Sequence, residues 1–595
     1  MLIKQGTFFK LMELLKKEFG SFKLPIVVVT ILSFAGGLLE GVGINAIIPL
    51  FSFINKTGDR GADTISRVIE KFFNFFHLDY TLKNLLLFIV ALFVAKAVIS
   101  FLNSYIAAKI ITSYETKTRS ELFKITLSAD WPFLSQQKIG HLEQVLTTDV
   151  NYSSNMLSTV SSTILLLANL LVYTLVAVNI SYPIALLTLV LGGIIFLIFK
   201  PLFYKNRIFS EQVEKMYKEL AHYVNENMIG MKTVKAMAVE EAVTKHGVAQ
   251  FDQVRHLNLR VNSVRNISNA LLQPIGLVFI IAMFSFFYKM TAFNFASFAV
   301  IVYAINKVFA YMQMAQVQLH GMSSMVPYVM SISRYREETG ARKEKDSGHK
   351  DFQFNRELKF EEVSFGYNKD AAEILSNVAF SVKKGEMVGI IGPSGAGKTT
   401  VVDLLLRLLE PNRGAITLDG EAIENIRLKD WRANIGYVSQ DMFLINDTIE
   451  NNIKFYNPAI THEEMVKAAQ MANIYNFIEN QPQKFSTVIG ERGVLISGGE
   501  KQRIILARIL ARQPKIIVLD EATSALDNES EALIQEAIEK LKGNTTVIVI
   551  AHRLSTIMAA NTLIALEGGQ IKEQGKPADL LQDKNSYFFR VYNVE

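Results

Sequence analysis

Apolar residues are concentrated in the first 330 positions of the chain, where they form six long runs separated by more polar stretches. Each run approaches the roughly 20 residues that an α-helix needs to cross a bilayer. The runs lie at about 24–54, 84–112, 155–178, 183–204, 265–289 and 293–320. This pattern predicts six transmembrane helices and therefore a membrane half of the chain.

Two polar stretches, 113–154 and 205–264, are too short to form domains of their own. We expect them to continue the membrane helices into the cytoplasm, where about 25 residues would reach roughly 40 Å. Each stretch contains a predicted turnaround, near 131–135 in the first and near 228–235 in the second.

The distribution of charge predicts the orientation of the membrane half. Five lysines precede Leu24, and nine Lys or Arg residues lie in 205–264. Because cytoplasmic loops carry an excess of positive charge, we expect both regions in the cytoplasm of a multi-pass protein of the cell inner (plasma) membrane. The net charge of +6 is modest and spread out, which favours contact with membrane lipids and no binding of nucleic acid. The absence of cysteine excludes disulfides, thiol catalysis and thiolate metal sites.

The second part of the chain has a different pattern. After Tyr335 a charged stretch with few apolar residues predicts a linker at 336–351. From Phe352 onward, β-rich runs alternate with helical runs, which is typical of an α/β fold around a largely parallel sheet. We therefore expect a transmembrane domain at 1–335 and a soluble domain at 352–595.

A glycine-rich segment of the soluble domain fits the phosphate-binding loop pattern. It follows the apolar run 387–391 and precedes an apolar helical pattern. Its candidate ligands are Gly392, Ser394, Gly395, Gly397, Lys398, Thr399 and Thr400. Glycines let successive N–H groups surround phosphate oxygens, and the helix N-terminus adds its positive dipole end. Lys398 would contact the β- and γ-phosphates, and the Thr399 hydroxyl would bind Mg²⁺. The alternative is a glycine-rich turn without a ligand.

A pair of carboxylates follows another apolar run. Residues 516–519 predict a buried strand that ends in Asp520 and Glu521. Beside a phosphate loop, an aspartate at a strand tip can orient the water ligands of Mg²⁺, and Glu521 is then placed to polarise the attacking water. The pair could instead be the N-cap of a helix, since Ala-Thr-Ser follows.

Several segments resemble the motifs of ATP-binding cassette (ABC) transporters. The stretch Ile-Ser-Gly-Gly-Glu-Lys-Gln-Arg at 496–503 resembles the signature motif of that family. Tyr367 resembles the aromatic residue that stacks on adenine, and Gln440 the Q-loop glutamine. Asp527 lies in a segment similar to the D-loop, and His552 resembles the switch histidine. With the six runs, the resemblance covers nearly the whole chain and is to the exporter class.

The resemblance implies an α-helical transmembrane bundle, with six spans and long cytoplasmic helical extensions, fused to an α/β P-loop ABC ATPase domain. It implies ATP and Mg²⁺ as cofactors, with Gln440 joining Thr399 and Asp520 at the metal. Glu521, His552 and Gln440 would act in hydrolysis.

The signature residues Ser497, Gly498 and Gly499 cannot fold back onto their own phosphate loop, and the resemblance implies that they meet the γ-phosphate of an ATP held by a second copy of the chain. One chain has one membrane half and one ATPase domain, so we expect a homodimer. Ile496 and Glu500 depart from the usual Leu and Gln of the motif. A carboxylate in the first turn suits the helix dipole but could repel a nearby triphosphate.

The expected function is that of an ATP-driven exporter or flippase, in which the two turnarounds transmit motion between the domains. The segment 37–50 resembles the opening of bacterial flippases for lipid-linked oligosaccharides, which favours a lipid or lipid-linked substrate. A multidrug or peptide exporter is the alternative. Fusion of six spans to one cassette disfavours an importer, and the presence of Glu521 and His552 disfavours an ATP-gated channel or receptor.

Three charged residues, Glu40, Lys96 and Lys307, fall deep inside predicted spans. Ionisable groups at such depth are costly and usually face a cavity or a partner. Their predicted depths, roughly 21, 18 and 21 Å from the external ends of the spans, are too similar to select a partner, so Glu40 could pair with either lysine. In one interpretation the pair is structural and the second lysine reaches towards water. In the other, the excess positive charge selects the anionic headgroup of an amphiphilic substrate.

These assignments predict different defects for two substitutions. Glu521→Gln should hold ATP and trap a closed dimer with little turnover, because a carboxamide keeps the shape of the site but is a poor proton acceptor. Lys398→Ala should bind ATP poorly. Steady-state ATPase and nucleotide-binding measurements on purified protein check both, and near-normal turnover of Glu521→Gln would contradict the assignment.

Overall fold

The computed structural model describes residues 13, 15–46, 50, 64–180, 182–287, 295–367, 373–520, 528–551 and 553–592. The chain divides into two compact units. The first comprises Met1–Ala129 and Phe133–Lys343, and the second comprises Asp130–Pro132 and Glu344–Glu595. The boundary after Lys343 falls inside the stretch 336–351 that the sequence predicts as a linker.

The described residues of the first half of the chain form helices that are joined by short turns. Its helices are α1 (Lys23–Asn45), α2 (Thr64–Phe75), α3 (Leu82–Leu127), α4 (Trp131–Ser135), α5 (Ile139–Gln144), α6 (Val150–Ile180), α7 (Tyr182–Ile229), α8 (Met231–Ala236), α9 (Glu240–Phe287) and α10 (Phe295–Ala341). The long helices α1, α3, α6, α7, α9 and α10 each contain most of one predicted apolar run. Within the described ranges, three helical stretches are long and apolar enough to cross a membrane, Leu15–Gly43, Leu82–Leu127 and Gly140–Leu175. The count of six spans stays a prediction.

The predicted helical extensions are present. Helix α3 continues to Leu127 and α7 to Ile229, well beyond the apolar runs. The first predicted turnaround forms α4, and the second lies where Gly230 separates α7 from α8. Helix α10 continues to Ala341, so the first residues of the predicted linker are helical. Arg336 holds this end of α10 in place, because its guanidinium lies 2.6 Å from Glu18 and 2.8 Å from Glu121.

The second unit contains two sheets, which position the candidate site. Their strands are β1 (Glu357–Phe365), β2 (Leu375–Lys383), β3 (Met387–Ile391), β4 (Arg413–Leu418), β5 (Glu421–Ala422), β6 (Ile435–Val438), β7 (Ile516–Asp520), β8 (Thr546–Ile550), β9 (Thr562–Glu567) and β10 (Gln570–Gly575). The larger sheet has the order β10-β9-β3-β8-β7-β6, and the smaller has the order β2-β1-β4-β5. In the larger sheet only the edge pair β10–β9 is antiparallel. Every residue of β3, β7 and β8 is buried, as expected for parallel strands covered on both faces.

Helices cover the larger sheet and form a helical region after β6. They are α11 (Lys398–Leu405), α12 (Leu428–Ala433), α13 (Ile449–Lys454), α14 (His462–Met471), α15 (Tyr475–Glu479), α16 (Gly498–Leu510), α17 (Asn528–Glu539), α18 (Leu554–Met558), α19 (Pro577–Gln582) and α20 (Tyr587–Tyr592). The alternation of strands and helices is that of the predicted α/β domain.

A buried charge network joins three elements of the first unit. Lys218 of α7 lies 2.6 Å from Glu214, one turn earlier, and 3.9 Å from Asp149. The same ammonium group donates a hydrogen bond of 2.8 Å to the hydroxyl of Ser331 in α10. Asp149 is fully buried and ends a π-helical turn, Val145–Asp149, that precedes α6. One lysine therefore compensates two buried carboxylates.

Removal of this lysine should destabilise the protein. Lys218→Met leaves both carboxylates buried without a cation, which should cost on the order of 3 kcal/mol. Lys215→Met, at an exposed position of the same helix, is the matched control and should be near neutral. Asp149→Asn in the Lys218→Met background should restore part of the loss. Thermal unfolding of the detergent-purified protein measures all three, and equal midpoints for the two lysine variants would contradict the role of the network.

Candidate functional site

The register of the parallel sheet places several predicted site residues at the same end of the sheet, where the strands have their carboxyl ends. Ile390 of β3 is paired with Ile550 of β8, which in turn is paired with Asp520 of β7. Neighbouring strands lie about 4.8 Å apart, so the backbone of Asp520 is roughly 10 Å from that of Ile390. The phosphate loop follows β3 at this end of the sheet. Gln440 follows β6 at the same end, because Val438 of β6 is paired with Leu519 of β7. Ligands of open α/β sheets bind at this carboxyl end of the strands.

The glycines at both ends of the phosphate loop have backbone conformations that exclude side chains. Gly392 has φ +155°, and a Cβ there would lie 2.2 Å from the carbonyl oxygen of Leu566. Gly397 has φ +98° and caps α11, and its Cβ would lie 2.5 Å from Leu375. Gly395 has φ +81° but faces open space. All three positions therefore favour glycine because of their positive φ, and at Gly392 and Gly397 a side chain would also be too close to neighbouring atoms.

The side chain of Lys398 extends back into the phosphate loop, which precedes it in the chain. Its ammonium group donates to the carbonyl oxygens of Gly392 at 2.8 Å and Pro393 at 3.1 Å, and the residue is 8% exposed. Thr399 is exposed beside it, whereas Thr400 is buried. A cradle of backbone N–H groups around a lysine held at its centre fits a chain of phosphates.

A second carboxylate, that of Asp403, interacts electrostatically with Asp520 and is not among the residues predicted from the sequence. Asp520 is buried at the end of β7, and the Tyr437 hydroxyl lies 3.5 Å from its Oδ2. Burial, with a contribution from the charge of Asp520, raises the pKa of Asp403 in α11 to about 6. Burial and the same charge raise the pKa of Tyr437. The signal in the sequence was an aspartate in the apolar run Val-Val-Asp-Leu-Leu of α11.

Two further candidate residues, Tyr367 and Gln440, are exposed at the surface of the ATPase domain. Tyr367 is 60% exposed and packs edge-on against Phe365, with ring centroids 5.2 Å apart, so one face of its ring is open to a base. Gln440 is exposed directly after β6. Glu521, Asp527 and His552 lie outside the described residues, and their roles stay predictions.

The signature segment forms the N-terminus of α16. Ser497 is the N-cap, and its hydroxyl oxygen accepts from the N–H of Glu500 at 3.3 Å. The Glu500 carboxylate accepts from the N–H of Ser497 at 2.7 Å, which completes a capping box. Gly499 packs against α17, where a Cβ would lie 2.1 Å from the hydroxyl oxygen of Ser530.

Comparison with known proteins identifies the family. The ABC transporter model matches residues 375–524, and the model of the ABC transporter transmembrane region matches residues 26–316. The chain is 31% identical over 519 residues to the ATP-dependent lipid A-core flippase of Haemophilus influenzae, a match that covers 85% of this chain and 87% of that protein. The chain belongs to the ABC transporter family.

Some other relatives of this ABC transporter match smaller parts of the chain. It is 43% identical over 238 residues to a putative multidrug export ATP-binding/permease protein of Staphylococcus aureus, which covers 40% of this chain and 41% of that protein. Some curated relatives are much longer, and the chain spans only 18% and 20% of two of them. The structure of a bacterial Atm1-family ABC exporter with ATP bound has the same fold, with a TM-score of 0.79, 22% identity, and coverage of 97% of this chain and 98% of that chain.

Membership of the family confirms the predicted enzyme class. The protein is an ABC exporter in which a transmembrane domain and an ATPase domain are fused in one chain. Its ATPase domain binds ATP, and hydrolysis of ATP is coupled to transport across the membrane.

The contact below the signature motif can be tested by compensation. Gly499→Ala should push α16 away from α17, at a cost of about 1–3 kcal/mol for overpacking, and should lower ATPase turnover. Ser530→Gly removes the side chain that the new methyl group would strike, so the double variant should recover most of the lost turnover and thermal stability. Ser530→Gly alone is the control. A double variant as defective as Gly499→Ala would show that this contact is not the cause.

Proposed function

We propose that the protein works as a homodimer that moves an amphiphilic lipid or lipid-linked molecule across the cell inner membrane. The observation that carries the proposal is that each chain has one membrane domain and one ATPase domain. Within the ATPase domain, the phosphate loop precedes α11 and the signature segment begins α16, so the two motifs lie on separate elements. Two copies then supply two complete sites, each built from the phosphate loop of one chain and the signature helix of the other. ATP bound between them closes the pair, and hydrolysis reopens it.

In this proposal the ATP site also holds Mg²⁺. Thr399 and Asp520, with Gln440, would bind the ion together with phosphate oxygens, which is the usual arrangement for Mg²⁺ at a nucleotide. The described residues include no cluster of three or more His, Cys, Asp or Glu side chains suited to a metal, so the phosphates would supply much of the coordination. The ion would neutralise charge on the phosphates, and the partly buried Asp403 adds negative charge that favours a cation near Asp520.

The remaining site residues have roles in binding and hydrolysis. Tyr367 stacks on adenine with its open ring face, and Lys398 moves from the loop carbonyls to the phosphates. Glu521 accepts a proton from the attacking water, and His552 donates to the γ-phosphate. Asp527 lies at the contact between the two ATPase domains. The turnarounds near 131–135 and 228–235 transmit closure to the membrane helices.

Two of the three charged residues deep in the membrane domain, Glu40 and Lys96, form an ion pair. The carboxylate of Glu40 is 2.8 Å from the ammonium group of Lys96, and its other oxygen accepts from the Tyr173 hydroxyl at 2.8 Å. The side chain of Glu40 is only 9% exposed. Of the two pairings that the sequence left open, the structure therefore has the one with Lys96. That pair is neutral and joins α1 to α3, and the Tyr173 hydroxyl adds α6 to the contact.

Lys307 is in a different situation. Its ammonium group lies 5.5 Å from the centre of the Tyr303 ring, one turn earlier on α10. Among the residues that the structure describes, no carboxylate is within ion-pair distance of it. An uncompensated lysine at membrane depth attracts a negatively charged headgroup, such as the phosphate of a lipid, and disfavours a cationic drug. The relative named as a lipid A-core flippase supports the same substrate class, whereas the putative multidrug exporter keeps the alternative open.

Single substitutions separate the two lysines. Lys307→Met should slow translocation of an anionic lipid in proteoliposomes by about tenfold or more, the loss expected for one buried charge contact of about 1.4 kcal/mol or more. The charge-neutral double variant Glu40→Gln/Lys96→Met is the matched control and should stay within a few-fold of wild type. Nucleotide binding should be unchanged in both.

Two outcomes would count against the substrate assignment. Lys307→Met protein that moves anionic lipid as fast as wild type would show that this lysine is structural. Wild-type protein that moves a cationic dye but no anionic or zwitterionic lipid would favour the multidrug alternative.

A further inference from the structure

One face of α10 carries a tyrosine on either side of Lys307. Tyr303, Lys307 and Tyr311 follow one another at intervals of four residues within the predicted sixth span, so their side chains lie on one side of the helix. Long side chains in a helix point back towards its N-terminus. The ammonium group of Lys307 accordingly approaches the ring that precedes it, and its nitrogen lies 5.5 Å from the centre of the Tyr303 ring.

The Glu40 carboxylate is not available to neutralise this lysine. One of its oxygens is paired with Lys96 at 2.8 Å, and the other accepts from the Tyr173 hydroxyl at 2.8 Å. The second tyrosine on this face of α10, Tyr311, packs against Tyr173, with ring centroids 5.4 Å apart. Within the described part of the chain, an aromatic ring and no carboxylate therefore stabilises the charge of Lys307.

A ring in this position has a chemical preference of its own. The face of a tyrosine ring attracts cations, and proteins use aromatic side chains in this way to recognise quaternary ammonium ligands. Tyr303 is 42% exposed, so its ring can be reached from outside the chain. The ammonium group of Lys307 now occupies the position over that ring which an organic cation would take.

An organic cation is therefore disfavoured at this position for two reasons. The ring that would bind it already holds an ammonium group, and the charge of that group repels a second cation. An anionic headgroup meets neither obstacle, because a contact between an ammonium group and a ring leaves the positive charge unneutralised. Binding sites often achieve specificity through a repulsive element of this kind as well as through attraction.

We propose that Tyr303 and Lys307 together form the charge-selecting element of the substrate site. Lys307 presents a positive charge to an anionic headgroup and at the same time blocks the ring of Tyr303 against organic cations. The inference rests on the proposed function, which assigns Lys307 to the headgroup. It goes further, because removal of this one amine should convert a site that excludes organic cations into one that binds them.

The test uses the full-length protein in lipid nanodiscs, with ethidium as the cationic probe and fluorescence anisotropy as the measurement. Lys307→Met uncovers the ring and removes the repelling charge, so the dissociation constant of ethidium should fall about fivefold or more relative to wild type. Lys307→Gln is a second neutral variant and should give a similar gain. Lys307→Arg keeps a cation over the ring and should bind the dye no more tightly than wild type.

Substitution of the tyrosine shows whether the ring is responsible for the gain. In the Lys307→Met background, Tyr303→Phe keeps an aromatic face and should hold the dye within about twofold of Lys307→Met alone. Tyr303→Leu in the same background removes the ring and should weaken binding again by about threefold or more. The thermal midpoint of each variant confirms that it is folded.

Two outcomes would overturn the inference. One is equal dye affinity in wild type and in both neutral variants of Lys307, and the other is equal dye affinity with Phe and Leu at position 303. Translocation of an anionic lipid by the same proteins separates this inference from the proposed function. Wild-type protein that moves no anionic lipid would overturn the proposed function, whereas Lys307→Met protein that loses anionic transport without gaining dye binding would overturn the inference alone.

Discussion

The parallel register of β3, β8 and β7 is the constraint on which the ATPase domain depends. Because Ile390, Ile550 and Asp520 are paired across the three strands, the phosphate loop and the buried aspartate lie at the same end of the sheet. The strands are buried on both faces, so a shift of register would disrupt the side-chain packing on both sides of the sheet and would also separate the loop from the carboxylate. Stability of the core and geometry of the nucleotide site are therefore fixed by the same hydrogen bonds.

In the membrane domain the corresponding constraint is the cost of buried charge. Glu40 and Lys96 satisfy each other and the Tyr173 hydroxyl, and Lys218 compensates Asp149 and Glu214 further along the helices. Both networks link helices that are distant in sequence, which fixes their relative positions. Lys307 is the contrast, since its described surroundings provide an aromatic ring and no carboxylate.

The sequence predicted the fold class because both halves have patterns that local physics determines. Apolar runs of spanning length imply helices in a membrane, and a glycine-rich loop between a strand and a helix implies a phosphate site. It could not choose a partner for Glu40, because that depends on how three helices pack. Nor did it identify Asp403, whose importance arises only when folding brings its carboxylate within the electrostatic influence of Asp520.

The placement of Glu500 in a capping box lies between these cases. The pattern Ser-x-x-Glu predicts a capping box from local sequence alone, so the carboxylate could have been placed before the structure was known.

The central claim is that ATP joins the phosphate loop of one chain to the signature segment of another. The natural chain has no cysteine, so Ser394→Cys and Leu495→Cys can be introduced on separate chains without other changes. A short bifunctional maleimide should link an equal mixture of the two single-cysteine chains into a covalent dimer only when ATP is present, and the link should join one chain of each kind. A link that forms equally without ATP, or no link between the two kinds of chain, would contradict the account.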